Sequence, residues 1–315
     1  MNRASNPGNL FLFGEHAVVY GKPAIIASVD LRVRCQIKSL PEKEIKISSR
    51  ELGNAVLKRH KRDRKDLFIL LDLCKDILSQ FKIQKGVELK IESDIPVASG
   101  LSSSSAVLCS ILSGLSKLFK LNIPNKDYYN YLIKYQRVIH GGRASGVEII
   151  SSAQGGFNYI SFKPGLKIKK LGDFPFRVVI GDTGIKTKTS KTVKEFIPKL
   201  IKKRPLFTKR CFNKIEELTK EGLKSILEGD ILKIGKLMTE NQKILAKLGL
   251  SHPKLDRGVN VALEAGAYGA KLSGKGQGGV MLALVNKDSQ KRVAKAIKRA
   301  GLKVIQTKIG VTGVK

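Results

Sequence analysis

Five serines and one glycine crowd the stretch Pro96-Val-Ala-Ser-Gly-Leu-Ser-Ser-Ser-Ser-Ala106, and small residues ahead of a helix are suited to holding an anion. Val107, Leu108, Ile111, Leu112 and Leu115 follow on one helical face. The first-turn N–H groups of such a helix have no intrahelical partner, and the helix dipole adds positive potential at the same end. A polyphosphate is the natural guest. For the serines alone, an ordinary Ser-rich cap is an equal alternative. No Gly-Lys-Ser/Thr follows, so the stretch is not a Walker loop. A second cluster, Lys271-Leu-Ser-Gly-Lys-Gly-Gln-Gly-Gly279, holds Gly274, Gly276, Gly278 and Gly279. A tight turn needs only one or two glycines; this many lets the backbone come close to something bulky.

Other chemistries find little support. Cys35, Cys74, Cys109 and Cys211 are far apart with no Cys-x-x-Cys pair, which predicts free, mostly buried thiols in a reducing compartment. His16, His60, His140 and His252 are equally scattered, so no zinc site is visible.

The elements that must position the two loops are legible from periodicity. Val29, Leu31, Val33, Cys35 and Ile37 alternate against Asp30, Arg32, Arg34 and Gln36, as in a half-buried strand, with 44–47 as a candidate hairpin partner. Val87–Ile91 is a strand leading into the serine loop. Helices are expected over 67–81 and from Asn125 to about Ile139, and 143–154 reads as a polar connection. A hairpin over Pro164-Gly165 joins 157–162 to 166–169, and 177–180 is a short buried strand. Long helices then dominate (189–202, 208–227, 230–248, 255–265). The end reads strand 270–273, glycine loop, strand 280–285, helix 290–299, strand 304–309. Runs of strands followed by runs of helices predict an α+β chain. Its 315 residues suit two domains, 1–175 with the serine loop and 176–315 C-terminal.

The 59 Lys and Arg against 26 Asp and Glu give a net charge of +33. They are spread along the chain, densest over 58–65 and 186–210, and aromatics make up only 6%. Without a nucleic-acid module this reads as a solvated basic surface that draws anionic small molecules, with no specific nucleic-acid partner. No apolar run approaches the ~20 residues of a membrane span. Gly14-Glu15-His16 interrupts the N-terminal apolar stretch, so neither a signal peptide nor a membrane partner is expected, and the chain is placed in the cytoplasm.

Taken together, these motifs resemble the GHMP small-molecule kinases and within them are most similar to the mevalonate kinases. Leu12-Phe-Gly-Glu-His-Ala-Val-Val-Tyr-Gly-Lys-Pro-Ala24 matches the first motif of that group almost residue for residue. Pro96–Ala106 resembles its phosphate loop. Arg137-Val-Ile-His-Gly141, Ser145-Gly146-Val147 and Gln154-Gly155-Gly156 resemble the surroundings of its catalytic acid. Leu248–Asp256, Gly269–Gly274 and Thr307–Gly310 are similar to its C-terminal part.

The resemblance implies a two-domain GHMP-kinase-like fold with the active site in the cleft between domains. It also implies ATP-dependent phosphorylation of mevalonate on its primary hydroxyl, with Mg²⁺. On the matching positions, Ser93, Pro96, Gly100, Leu101, Ser102, Ser103 and Ser104 would hold the phosphates, with the Ser104 hydroxyl on Mg²⁺. Glu15, His16 and Thr189 would face mevalonate, and Gly274 and Gly276 would support the phosphate loop. A homodimer is left open.

Four departures stand out. Asn9 occupies a catalytic position where the family has Lys, Gln136 a metal position where it has Glu, and Glu148 the place of its catalytic Asp. Lys275 and Gln277 stand where its last glycine loop has small residues. Glu148 keeps a carboxylate able to accept the hydroxyl proton, while Gln136 keeps an oxygen but loses charge. Lys275 is the candidate to supply the cation that Asn9 lacks. A related kinase acting on another hydroxyl or small alcohol, and a nucleotide-binding pseudokinase, are the alternatives these departures leave.

Overall fold

The computed structural model describes residues 2–50, 53–58, 61–62, 67–96, 100–142, 144–185 and 192–315. Its backbone is one mixed sheet with helices packed on it. Strands β1 (Asn2–Phe13), β2 (Ala24–Leu40), β3 (Ile45–Ser49), β4 (Gly53–Lys58), β5 (Lys61–Arg62) and β6 (Gly86–Ser93) come first. They are followed by β7 (Phe157–Ser161), β8 (Lys167–Gly172), β9 (Phe176–Asp182), β10 (Gly269–Ser273), β11 (Val280–Val285) and β12 (Lys303–Ile309). The sheet order is β10-β11-β9-β12-β2-β6-β3-β4-β5, with β1 and β7 also on β2 and β8 on β7.

β2 is the hub because its alternation holds. Val29, Val33, Cys35 and Ile37 are 0% exposed. Arg32, on the polar side, is nevertheless buried. Its guanidinium donates to the Ser5 hydroxyl and to the carbonyls of Ser5, Thr312 and Gly313, tying the C-terminal tail to β1.

The expected 44–47 hairpin does not form against β2. β6 lies between, antiparallel to β2 and parallel to β3. Val87, Leu89 and Ile91 are at most 1% exposed, which suits an inner strand better than an edge. Gly86 makes the junction possible, since a Cβ there would lie 2.2 Å from the Glu42 and Glu44 carbonyl oxygens. The 157–162 hairpin with 166–169 does form, as β7 and β8.

Four N-terminal helices matter for the site: α1 (Phe68–Gln80), α2 (Ser103–Phe119), α3 (Tyr128–Ile139) and α4 (Val147–Gln154). α2 buries Ala106, Leu108, Ile111, Leu112 and Leu115 completely against β1, β2 and α4. Each such Leu or Ile contributes roughly 1.5–3 kcal/mol. The stretch 143–154, read as a connection, is largely helical: Val147, Ile149, Ile150 and Ala153 are buried, and Gly146 starts the helix at φ 80. Its apolar residues recur at helical spacing, a signal hidden by the glycines and serines on either side. Helices Ile197–Lys203, Pro205–Glu228, Ile231–Lys247 and Pro253–Glu264 follow β9, and Lys287–Arg299 lies between β11 and β12. All four cysteines are buried free thiols.

Candidate active site

The site is assembled around one carboxylate. Glu148, half-buried, stands in the first turn of α4, where the helix dipole favours negative charge. Gln136, from the C-terminal half of α3 and 0% exposed, donates from Nε2 to Glu148 Oε2 at 2.9 Å and to Ser105 Oγ at 2.9 Å. A carboxylate only accepts, so the amide nitrogen must be the end that faces it. That leaves Gln136 Oε1 sealed from solvent without a hydrogen-bond partner among the described residues. Asn9 on β1, also 0% exposed, donates from Nδ2 to the Glu148 carbonyl at 2.8 Å, and its own N–H reaches the Leu101 carbonyl at 3.2 Å. Its Oδ1 is likewise buried and unpartnered. Ser105 is the third residue of α2, so a single amide nitrogen joins the first turns of α2 and α4.

Above that junction lies the serine loop. Ser102 caps α2 in the left-handed region (φ 56) without a side-chain cap hydrogen bond. The Ser102 side chain therefore satisfies none of the first-turn N–H groups of α2. Ser102, Ser103 and Ser104 are half-buried, while Leu101 is buried and anchors the loop to β1 through Asn9. Upstream, the Ser93 hydroxyl accepts the Ile95 N–H at 3.0 Å in a local turn, and Pro96 is half-buried.

The second glycine cluster touches the first. A Cβ on Gly274 (φ +83) would lie 3.2 Å from the Gly100 carbonyl oxygen, and Ser273 Oγ accepts the Phe11 N–H at 3.0 Å. Gly276 is packed on Leu250, whose carbonyl oxygen a Cβ would meet at 2.1 Å. Only glycine fits there.

His16 Nε2 lies 3.1 Å from the Lys275 carbonyl, which accepts, so this nitrogen carries the proton. Burial, assisted by the Lys271 charge, lowers the His16 pKa to about 4, so the ring is neutral near pH 7. Lys275 is 9% exposed, and its pKa is lowered by burial, partly offset by Asp182.

Glu15 is 1% exposed and accepts from Lys271 Nζ and, at 3.1 Å, from Asn241 Nδ2. Thus Asn9, Gln136, Glu148 and Gly100–Ser104 meet on one side, and Glu15, His16, Gly274 and Gly276 on the other. Thr189 lies outside the described residues. Among the described residues, no group of three or more His, Cys, Asp or Glu side chains is arranged to hold a metal ion.

Ser105, Lys271 and Asn241 escaped the sequence reading. Lys271 had a signal: a single charge in an otherwise apolar or small strand, Gly269-Ala-Lys-Leu-Ser273, implies a buried partner. Asn241 sits on the buried face of its helix with Met238 and Leu245, a polar residue in an apolar stripe.

Comparison with known proteins finds relatives along nearly the whole chain. The model of the GHMP kinases N terminal domain matches residues 69–156, and that of the GHMP kinases C terminal domain matches 223–303. A mevalonate kinase of Pyrococcus abyssi is 33% identical, covering 99% of this chain and 96% of its own length. The crystal structure of the Methanococcus jannaschii mevalonate kinase superposes with a TM-score of 0.84 at 25% identity, covering 98% of both chains. The L. major mevalonate kinase crystallised with R-mevalonate shares the fold, with a TM-score of 0.83 at 22% identity over 99% of this chain and 97% of that one.

Proposed function

The chain belongs to the GHMP kinase family, and on that premise we propose that it transfers the γ-phosphoryl group of ATP to mevalonate, forming 5-phosphomevalonate. It is an ATP-dependent small-molecule kinase with the mixed helix-and-strand fold of that family. One observation carries the assignment of its centre: Gln136 bonds both Glu148 and Ser105, setting a carboxylate directly beside the first turn of the anion-binding helix.

Phosphoryl transfer needs positioning and charge stabilisation more than covalent chemistry. The N–H groups of Gly100–Ser104 hold the triphosphate, and the Gly274–Gly276 turn backs that loop. The acceptor hydroxyl oxygen attacks the γ-phosphorus, the bond to the bridging oxygen breaks, and ADP leaves. Glu148 takes the hydroxyl proton. Neutral His16 and the Glu15 segment wall the acceptor side, with Thr189 expected there by resemblance. Lys275 supplies positive charge in place of the lysine that Asn9 replaces.

Of the two side chains expected at magnesium, the half-buried Ser104 hydroxyl would hold it. Gln136 Oε1 is sealed from solvent, and an ion that keeps several waters does not fit against it, so we leave Gln136 out of the metal set. When bound, Mg²⁺ neutralises charge on the phosphates. The division into residues 1–175 and 176–315 belongs to the same proposal. In its support, the β12–β2 ladder has one register pair among the described residues, Ile309 with Val29.

The test is to incubate the protein with ATP and Mg²⁺ against mevalonate, phosphomevalonate, homoserine and galactose, and to locate new phosphate by phosphorus NMR. A primary phosphate ester on mevalonate alone is expected. Turnover on a different acceptor, or nucleotide binding without turnover, overturns it.

A further inference from the structure

Glu148 is gripped twice by buried amides. Gln136 donates to its carboxylate and Asn9 to its main-chain carbonyl, at 2.9 and 2.8 Å. Neither amide can touch a substrate directly, since both side chains are 0% exposed. Each also leaves one buried oxygen unpartnered among the described residues, Gln136 Oε1 and Asn9 Oδ1, which costs stability. A pair of residues selected for stability alone would satisfy those oxygens or be apolar.

What the two nitrogens accomplish is directional. A glutamate has one more rotatable bond than an aspartate, and a carboxylate in a half-exposed first turn is otherwise free to swing. With Oε2 held by Gln136 and the main-chain carbonyl held by Asn9, Glu148 Oε1 is the carboxylate oxygen that no described residue engages.

We propose that Gln136 and Asn9 are positioning residues, a two-point clamp that aims the unengaged Glu148 oxygen at the acceptor hydroxyl. The clamp rests on the functional assignment above. It also explains why the three positions belong together: Asn9, Gln136 and Glu148 form one hydrogen-bonded unit drawn from β1, α3 and α4.

The experiment is a pair of double-mutant cycles at fixed pH and saturating Mg²⁺. Gln136→Met and Asn9→Leu, each uncharged and close in size to the residue it replaces, are made alone and over Glu148→Ala. Misaiming a reacting group by about an ångström costs on the order of 10²-fold, so each single variant is expected to lose about that much kcat. The KM values for ATP and mevalonate should stay within about twofold, because binding is not what the clamp serves. Over Glu148→Ala neither substitution should lower kcat by more than about twofold further, since a residue acting only through Glu148 has nothing left to act on. Calorimetric binding of a Mg²⁺ complex of a non-hydrolysable ATP analogue should be unchanged in Gln136→Met.

Losses that multiply with that of Glu148→Ala overturn the clamp. So does a tenfold loss of metal–nucleotide affinity in Gln136→Met, which would make Gln136 a metal ligand. If Gln136→Met does not fold, Gln136→Leu, which also removes the donor without adding charge, is read in the same cycle with the same expected non-additivity. Wild-type turnover is measured first in the same assay: its absence counts against the kinase assignment, whereas additive losses in an active enzyme count against the clamp alone.

Discussion

Replacing Lys271 by Met should destabilise the protein far more than an average substitution. Lys271 and Glu15 have side chains 0% and 1% exposed, so water does not screen their interaction. Methionine matches the length of the lysine stem and fills its space, which keeps cavity effects small. What is lost is the cation. Glu15 is left buried with one neutral donor, Asn241 Nδ2 at 3.1 Å. Orphaning one member of a buried pair costs about 3–5 kcal/mol.

Adding Glu15→Gln should recover most of this, because an amide in place of the carboxylate removes the uncompensated charge. A residue of about 1–2 kcal/mol would remain from altered hydrogen bonding. The assay is urea unfolding followed by far-UV circular dichroism, comparing wild type, both single variants and the double. If Lys271→Met unfolds within about 1 kcal/mol of wild type, or if the double variant is no better than Lys271→Met, the pair is not the buried ionic link described here.

Two further outcomes follow from the same corner of the site. Burial lowers the His16 pKa from the ordinary 6.5 to about 4. The unfolded chain therefore binds more protons in that interval, and stability attributable to His16 is complete above pH 6.5 and falls as the pH drops toward 4. The slope should reach at most about 1.4 kcal/mol per pH unit. His16→Gln should flatten it in unfolding curves taken across that range, and an unchanged slope would contradict the assignment. Lys275→Ala should lower kcat by about 10²-fold; unchanged turnover would show that this lysine does not supply the missing cation.

The division between what was readable from the chain and what was not follows range of interaction. By itself the sequence determined the serine loop, its helix and the glycine cluster, because anion binding at a helix start and positive-φ glycines are local properties of a few consecutive residues. It determined β2, since alternation over many positions has one solution, and the kinase family, since several local motifs occur together.

It did not determine that β6 separates β2 from β3: pairing partners compete across the whole chain, and Gly86 decides the contest only where it meets 42–44. Nor did it show α4, whose helical apolar spacing is masked by flanking glycines and serines. Arg32 looked solvent-facing until the C-terminal tail arrived to accept its hydrogen bonds. Most of all, Asn9, Gln136 and Glu148 read as three separate departures from a motif. Only folding, which brings β1, α3 and α4 within hydrogen-bond reach, makes them one unit, because which amide nitrogen meets which oxygen is a three-dimensional fact that no single segment encodes.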